Sequence, residues 1–255
     1  MSISIEKLED DLKQLRLVET AGELANILRN AEKESLTYRE LILKITSYEL
    51  GKRDERNIAK RLKWAKFPYM KTLSDFDLTK QESLTKRQLK ELEELSWLEQ
   101  MFNIVLLGPP GAGKTHLAIG IGLEAIQKGF QVIFISMGEL VNMLKTEEYV
   151  RSSQVQLNRI RKSDLLIIDD LMYMAMDQRE ANLLFHLINH LYERSSIILT
   201  SNKSPEQWVE LIGDEGITTA ILDRLLHRVE VINLNNDSYR MKHRESIFTD
   251  KSVQS

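Results

Sequence analysis

Residues Gly108–Leu117 read GPPGAGKTHL, and this stretch decides what kind of sheet the chain builds. It follows an apolar run, NIVLL at 103–107, and precedes a helical pattern, LAIGIGLEAI at 117–126. Strand, glycine-rich turn and helix are the context in which G-x-x-x-x-G-K-[ST] grips phosphate, as a P-loop. The glycines let backbone N–H groups turn inward with no Cβ in the way. A helix starting near Lys114 adds the positive end of its dipole. Lys114 is expected to neutralise the β- and γ-phosphates, and Thr115 to ligate Mg²⁺. The expected ATP-binding set is Gly108, Pro109, Pro110, Gly111, Ala112, Gly113, Lys114, Thr115 and His116. For His116 two readings stand side by side: a place near the α-phosphate, or a surface role at the helix start.

A phosphate grip alone does not separate a kinase from a motor or a switch. A hydrolytic site needs an apolar strand ending in carboxylate, and Asp164–Asp170, DLLIIDD, supplies it. Four apolar residues followed by acid put Asp169 and Asp170 at the C-terminal edge of a strand, where α/β sheets bind ligands. Asp169 is expected to hold Mg²⁺, directly or through water, and Asp170 to polarise the attacking water. The run IILTSN at 197–202 ends in Asn202, placed to position the water or touch the γ-phosphate. Asn at a strand end is also a common turn former. In ILDRLLHR at 221–228, Arg224 is most simply a surface contact on spacing alone. The alternative is an arginine finger inserted in trans into a neighbour's ATP site.

Around these motifs the chain has two textures. Residues 1–66 read as a small all-helical domain, with Ile5, Leu8, Leu12 and Leu15, then Leu24, Ile27, Leu28 and Ala31, at helical spacing. Thr37 and Glu40 form a capping-box pattern ahead of Leu41, Ile42 and Ile45. Residues 67–100 are a connector ending in an amphipathic helix near 86–99. Strands and helices alternate over 101–245, which predicts an α/β domain with a mainly parallel sheet. Expected strands are 104–107, 132–135, 165–168, 197–200 and 229–234, and 246–255 is a tail.

Composition narrows the classes further. The 255 residues include no cysteine, so disulfides, thiolate metal sites and a cysteine nucleophile are excluded. No apolar run is long enough to span a bilayer and no secretory leader is evident, so a cytoplasmic protein is expected. The net charge of −3 means that any nucleic-acid contact must come from local patches. One is the helix carrying Lys52, Arg53, Arg56, Lys60, Arg61, Lys63 and Lys66, opposed in the sequence only by Asp54 and Glu55 and flanked by Trp64 and Phe67. The residues alone leave open a solvated face or a segment lying along phosphates. His186 and His190 lie four apart but lack the adjacent Glu and a third ligand, so packing is expected of them. Met137, Met143, Met172, Met174 and Met176 read as core or interface filler.

The order of GPPGAGKT, LLIIDDL, IILTSN and ILDRLLH resembles the AAA+ ATPases of the initiator and helicase-loader clade, DnaC-like proteins among them. The likeness is closer to the IstB-like family, the ATP-binding helpers of insertion-sequence transposition. It extends through YRELILKITSYEL, KTLSDFD, GPPGAGKTHLAIGIG, ANLLFHLINHLYERSSIILTSNKSPEQW and SYR at 238–240. The resemblance implies a five-stranded parallel sheet of order 5-1-4-3-2. It also implies ATP-dependent self-assembly into a homo-oligomer on double-stranded DNA and delivery of a partner transposase. It assigns Asn202 as the sensor residue, Arg224 as the arginine finger and Arg240 as a second sensor. A helix inserted after the second strand faces a central channel in this clade, which implies DNA contacts for Lys145 and Arg151 and favours DNA contact for the first basic patch. Where AAA+ proteins at large carry Glu, this chain has Asp170, a shorter base that implies slower hydrolysis. Little chain follows the last strand, so the helical lid is expected to be minimal or missing.

Other classes need other features. A replicative helicase loader of the same clade would share the ATPase core and bind a helicase and single strands. A small-molecule P-loop kinase would need an arginine-rich lid and a substrate pocket. A purely structural DNA-binding protein would have no use for Asp170 or Arg224.

Overall fold

The computed structural model describes residues 4–78, 84–171, 176–208 and 214–234. The chain divides into two compact units, Met1–Lys60 and Arg61–Ser255. In the first unit, α1 (Ile5–Gln14) and α2 (Val18–Lys33) lead into α3 (Tyr38–Ala65), whose last turn lies in the second unit. Each start has a chemical reason. Ser4 Oγ accepts the Lys7 N–H at 3.3 Å. Thr37 and Glu40 exchange hydrogen bonds as the capping-box pattern predicts, the Thr37 N–H reaching Glu40 Oε2 at 2.7 Å. Thr20, Ala21, Leu24, Ile27 and Ala31 of α2 are buried, whereas Ile5 and Ile42, equally periodic in the sequence, are 46% and 62% exposed. Buried Glu49 accepts the Thr20 N–H and hydroxyl at 2.9 and 3.0 Å.

The second unit is an α/β domain. Its strands are β1 (Asn103–Leu107), β2 (Val132–Ser136), β3 (Leu165–Asp169), β4 (Ser196–Ser201) and β5 (Val229–Asn233). Every pairing is parallel and the order is β2-β3-β4-β1-β5, the expected 5-1-4-3-2 read from the other edge. Around them stand α4 (Lys86–Glu94), α5 (Ser96–Glu99), α6 (Lys114–Gln127), α7 (Met137–Thr146), α8 (Arg151–Ile160), α9 (Gln178–Leu191) and α10 (Glu215–Leu226). β1 and β4 are buried at every position, as strands covered on both faces must be.

Alternation assigns the faces. Val105, Leu107, Ile135, Leu166, Ile168, Ile197 and Leu199 join one core cluster with residues of α7, α9 and α10. Met137 and Met176 lie in that cluster and Met143 packs against it, while Met172 and Met174 fall outside the described residues. On the other face α6 brings glycine to the sheet and to the connector. A Cβ on Gly122 would stand 2.8 Å from the Phe67 ring and 2.9 Å from Ile167 Cδ1. One on Gly120 would stand 2.6 Å from Leu73 Cδ2. Those two positions let the connector lie directly on α6.

Parallel pairing has one consequence for function. β1 ends in the phosphate loop, β3 ends in Asp169, and β4, which pairs with both, runs on to Asn202. All three motifs therefore emerge side by side at the C-terminal edge of the sheet. The residues after Leu234, Arg240 included, lie outside the described residues.

Candidate phosphate-binding and hydrolytic site

The loop from Gly108 to Gly113 needs its glycines for different reasons. Gly111 and Gly113 have φ of 84° and 96°, the left-handed region that glycine enters at no steric cost. Gly108, at φ 148°, also lies under the end of β5. A Cβ there would meet the Leu234 carbonyl oxygen at 2.2 Å. The Leu234 N–H donates to the Leu107 carbonyl at 2.7 Å, which holds that contact in place.

Lys114 opens α6 and is buried. Its ammonium donates to the carbonyls of Gly108 at 2.7 Å and Pro109 at 3.0 Å, and to Asn202 Oδ1. Thr115 donates its hydroxyl to Asp169, at 2.9 Å to Oδ1 and 3.2 Å to Oδ2. The structure thus pairs Lys114 with Asn202 and Thr115 with Asp169 through adjacent residues of α6, and Asp170 follows Asp169 directly.

Asp170 stands at φ 61°, a conformation that costs a non-glycine residue on the order of 1 kcal/mol. Thr200 secures it. The buried Thr200 hydroxyl accepts the Asp170 N–H at 2.9 Å and donates to Asp169 Oδ1 at 2.6 Å. The Leu171 N–H adds a bond to the Thr200 carbonyl at 3.1 Å. Burial pushes the Asp170 pKa above the usual carboxylate range, and the Asp169 charge pushes it the same way, against a smaller opposing pull from Lys114. Thr200 escaped the sequence reading. Its one signal was a hydroxyl residue inside an otherwise apolar strand.

His116 departs from the phosphate-side reading. Its Nε2 lies 3.0 Å from the Thr72 carbonyl and its ring stacks edge-on to Phe76 at 5.3 Å, so the side chain faces the connector. Burial lowers its pKa. Two helical positions beyond Lys114, its side chain leaves the helix on a different side from the lysine.

Arg224 is not in this group. It lies in the last turn of α10, where Nε donates to Asn189 Oδ1 at 2.8 Å and Nη1 to the Ala220 carbonyl at 2.8 Å. The guanidinium carbon sits 4.8 Å from the centroid of the Phe185 ring. Arg228 reaches the Gln100 carbonyl at 3.3 Å.

The expected DNA contacts divide by partner. More acids oppose the first basic patch than the sequence spacing suggests. Arg53 is paired with Glu49 at 3.1 Å and donates to the Arg16 carbonyl, Arg56 meets Glu19 at 3.1 Å, and Lys52 meets Glu55 at 2.8 Å. Lys60, Lys63 and Lys66 are exposed and Arg61 is half-buried. Lys145 is tied to the buried Glu180 at 2.7 Å, which raises its pKa, while Arg151 is exposed at the start of α8.

With this geometry in hand, likeness to known proteins decides the family. The family described as IstB-like ATP binding protein matches residues 10–247. The chain belongs to that family. It is 39% identical over 238 residues to the ATP-binding protein of insertion sequence IS21 from Pseudomonas aeruginosa, covering 93% of this chain and 90% of that one. It is 38% identical over 239 residues to the ATP-binding protein of insertion sequence IS5376 from Geobacillus stearothermophilus, covering 94% and 95%. Among solved structures, AMPPCP-bound DnaA from Aquifex aeolicus matches with a TM-score of 0.53 at 25% identity, over 66% of this chain and 51% of that one. DnaI matches with a TM-score of 0.54 at 19% identity, over 67% and 90%, which shows the shared fold. The family is ATP-binding and associated with insertion sequences, and its fold here is the P-loop AAA+ domain preceded by a helical region. Among the described residues no helix is long and apolar enough to cross a membrane.

Proposed function

We propose that this chain is an ATP-dependent DNA-binding regulator of transposition. It self-assembles on duplex DNA, hydrolyses ATP slowly at sites that a neighbouring copy completes, and recruits and stimulates a transposase. One observation carries the reading. Lys114, Thr115, Asp169 and Asn202 converge with Asp170 at one sheet edge, whereas the guanidinium of Arg224 is held by α9 and α10, apart from them.

The chain's own groups have definite tasks in this reading. Lys114 exchanges the Gly108 and Pro109 carbonyls for phosphate oxygens, and the loop's inward N–H groups complete the grip. Asp170, made more basic by burial, takes the proton of the attacking water, and Asn202 orients that water. The Thr115 hydroxyl and Asp169 carboxylate, 2.9 Å apart, are the hard oxygen donors that suit Mg²⁺, which when bound would neutralise charge on the β- and γ-phosphates. Arg224 of a second copy stabilises the charge of the transition state. Arg151 and the exposed lysines Lys63 and Lys66 lie along DNA phosphates.

The test is ATP turnover and particle size by electron microscopy, each with and without duplex DNA. Duplex should raise turnover and convert small particles into assemblies. Turnover that depends on neither DNA nor protein concentration would refute the assembly reading. Lys114→Ala should abolish ATP binding. Arg224→Ala should bind ATP normally and lose turnover by about a thousandfold, the scale of an arginine finger.

A further inference from the structure

The contacts of Arg224 have an unusual chemistry. An arginine in the last turn of a helix either pairs with a carboxylate or bonds the late carbonyls at the negative end of the helix dipole. Arg224 is held by three neutral groups: the amide oxygen of Asn189, the carbonyl of Ala220 and the face of the Phe185 ring. Its chain neighbour Asp223 is exposed and makes no ion pair with it among the described residues. Among the described residues the positive charge is therefore oriented without a carboxylate partner.

The orientation is specific as well. Nε and one N–H of Nη1 are taken by Asn189 and Ala220, so the guanidinium plane is held at two of its three nitrogens. Nη2 has no acceptor among the described residues. A guanidinium held at Nε and Nη1 and stacked on a ring leaves Nη2 to donate to the oxygens of a phosphate. The helices behind it are anchored too. Asn103 at the start of β1 donates Nδ2 to the Leu225 carbonyl at 3.0 Å and accepts the Ile197 N–H at 2.8 Å, tying the end of α10 to the sheet.

We infer that Asn189 and Phe185 of α9 are positioning residues for hydrolysis: they hold Arg224 pre-aimed for the nucleotide phosphate bound by a second copy of the chain. This rests on the trans reading of Arg224 given above. It adds a tuning role for α9. That helix begins eight residues after Asp170 of its own ATP site, and it carries the cradle for the arginine offered to the next. Among the described residues the side-chain hydrogen bond of Asn189 goes to the arginine and none goes to the phosphate loop, so its loss should lower kcat and leave KM for ATP unchanged. A displacement of about 1 Å at such a group costs up to a hundredfold in rate.

The experiment uses the full chain with duplex DNA. Asn189→Ala and Phe185→Leu are each expected to assemble and bind ATP as the wild type does, and to lose turnover ten- to a hundredfold. Asn189→Asp keeps the acceptor in place but puts a carboxylate on the arginine, so it should also lose turnover. Mixing supplies the decisive readout. Asp170→Asn chains keep the phosphate loop and an intact arginine but have no working hydrolytic site, and Asn189→Ala chains have the reverse. Co-assembly of the two should recover turnover that neither shows alone. Wild-type kcat for Asn189→Ala, with Arg224→Ala inactive, would overturn the cradle and leave the finger standing. Wild-type kcat for Arg224→Ala in assembled particles would instead overturn the trans reading. If Asn189→Ala loses turnover and mixing recovers none, a cis or folding role replaces the cradle.

Discussion

Replacing Thr200 with valine tests the hydrolytic site where it is most tightly built. Valine has the same shape, so no cavity opens and no strand residue is lost. What disappears is one hydroxyl with two tasks: accepting the Asp170 N–H at 2.9 Å and donating to Asp169 Oδ1 at 2.6 Å. A hydrogen bond to a charged acceptor contributes about 1.5–3 kcal/mol, and an orphaned buried N–H costs about 1–3 kcal/mol. Both losses come from one group at a site that can relax, so they do not add in full. The extra methyl returns about 0.8 kcal/mol of apolar burial. The net is about 2–3 kcal/mol, which for a unit of this size lowers Tm by about 4–12 °C. Catalysis should suffer separately. The left-handed conformation of Asp170 is secured by this bond, so its carboxylate should drift and kcat fall by ten- to a hundredfold. Thr200→Ser keeps the hydroxyl and is the control: it should lose little turnover. The assay pairs urea unfolding with steady-state ATP turnover on duplex DNA. A Thr200→Val chain within about 0.5 kcal/mol of wild type, turning over at the wild-type rate, would refute the clasp.

Other perturbations separate the remaining parts. Gly108→Ala puts a Cβ 2.2 Å from the Leu234 carbonyl, so the end of β5 must move; nucleotide binding should be lost, and a wild-type affinity by titration calorimetry would show the contact to be soft. Asp170→Asn should abolish most turnover and yet stabilise the fold at neutral pH. The sign follows from its raised pKa: the folded chain holds the Asp170 proton more readily than the unfolded chain, so ionisation costs stability. That cost is complete above the raised pKa and shrinks as pH falls toward the ordinary aspartate value, so the Tm gap between variant and wild type should close on acidification. Lys145→Met should lower Tm by stranding buried Glu180 and leave the salt dependence of DNA binding unchanged. Arg151→Met should do the reverse, reducing the slope of log K against log salt by about 1.

The parts of this protein that sequence reveals are those whose causes are local. The sheet was legible because each strand is an apolar run bounded by turns, and the phosphate loop because eight consecutive residues carry its geometry. Asp169 and Asn202 follow from being strand ends in a parallel sheet, which brings them to Thr115 and Lys114 across 54 and 88 residues. What periodicity leaves out is the identity of partners. The sequence places Lys145 and Arg151 in one basic stretch, but a carboxylate 35 residues away claims the first. It shows Arg53 and Arg56 as two cations among several, while Glu49 and Glu19 already engage them. It puts His116 beside the phosphate loop, whereas a carbonyl 44 residues upstream turns the ring to the connector. In each case a charged or polar side chain is counted correctly and its counterpart is fixed only by tertiary packing.

Arg224 shows why this matters for function. As a letter in ILDRLLHR it is a surface cation like many others. Its distinguishing property is negative: among the described residues its partners are an amide, a carbonyl and a ring, and none is a carboxylate. A surface arginine that only stabilised the fold would gain from an acidic partner, and Asp223 is next to it in the chain. In this chain the anion that the rest of the site is built to bind is the phosphate of ATP, and the group that binds it in cis stands at a different set of residues. On the proposed reading, the arginine and the loop GPPGAGKT act together across a boundary between two copies.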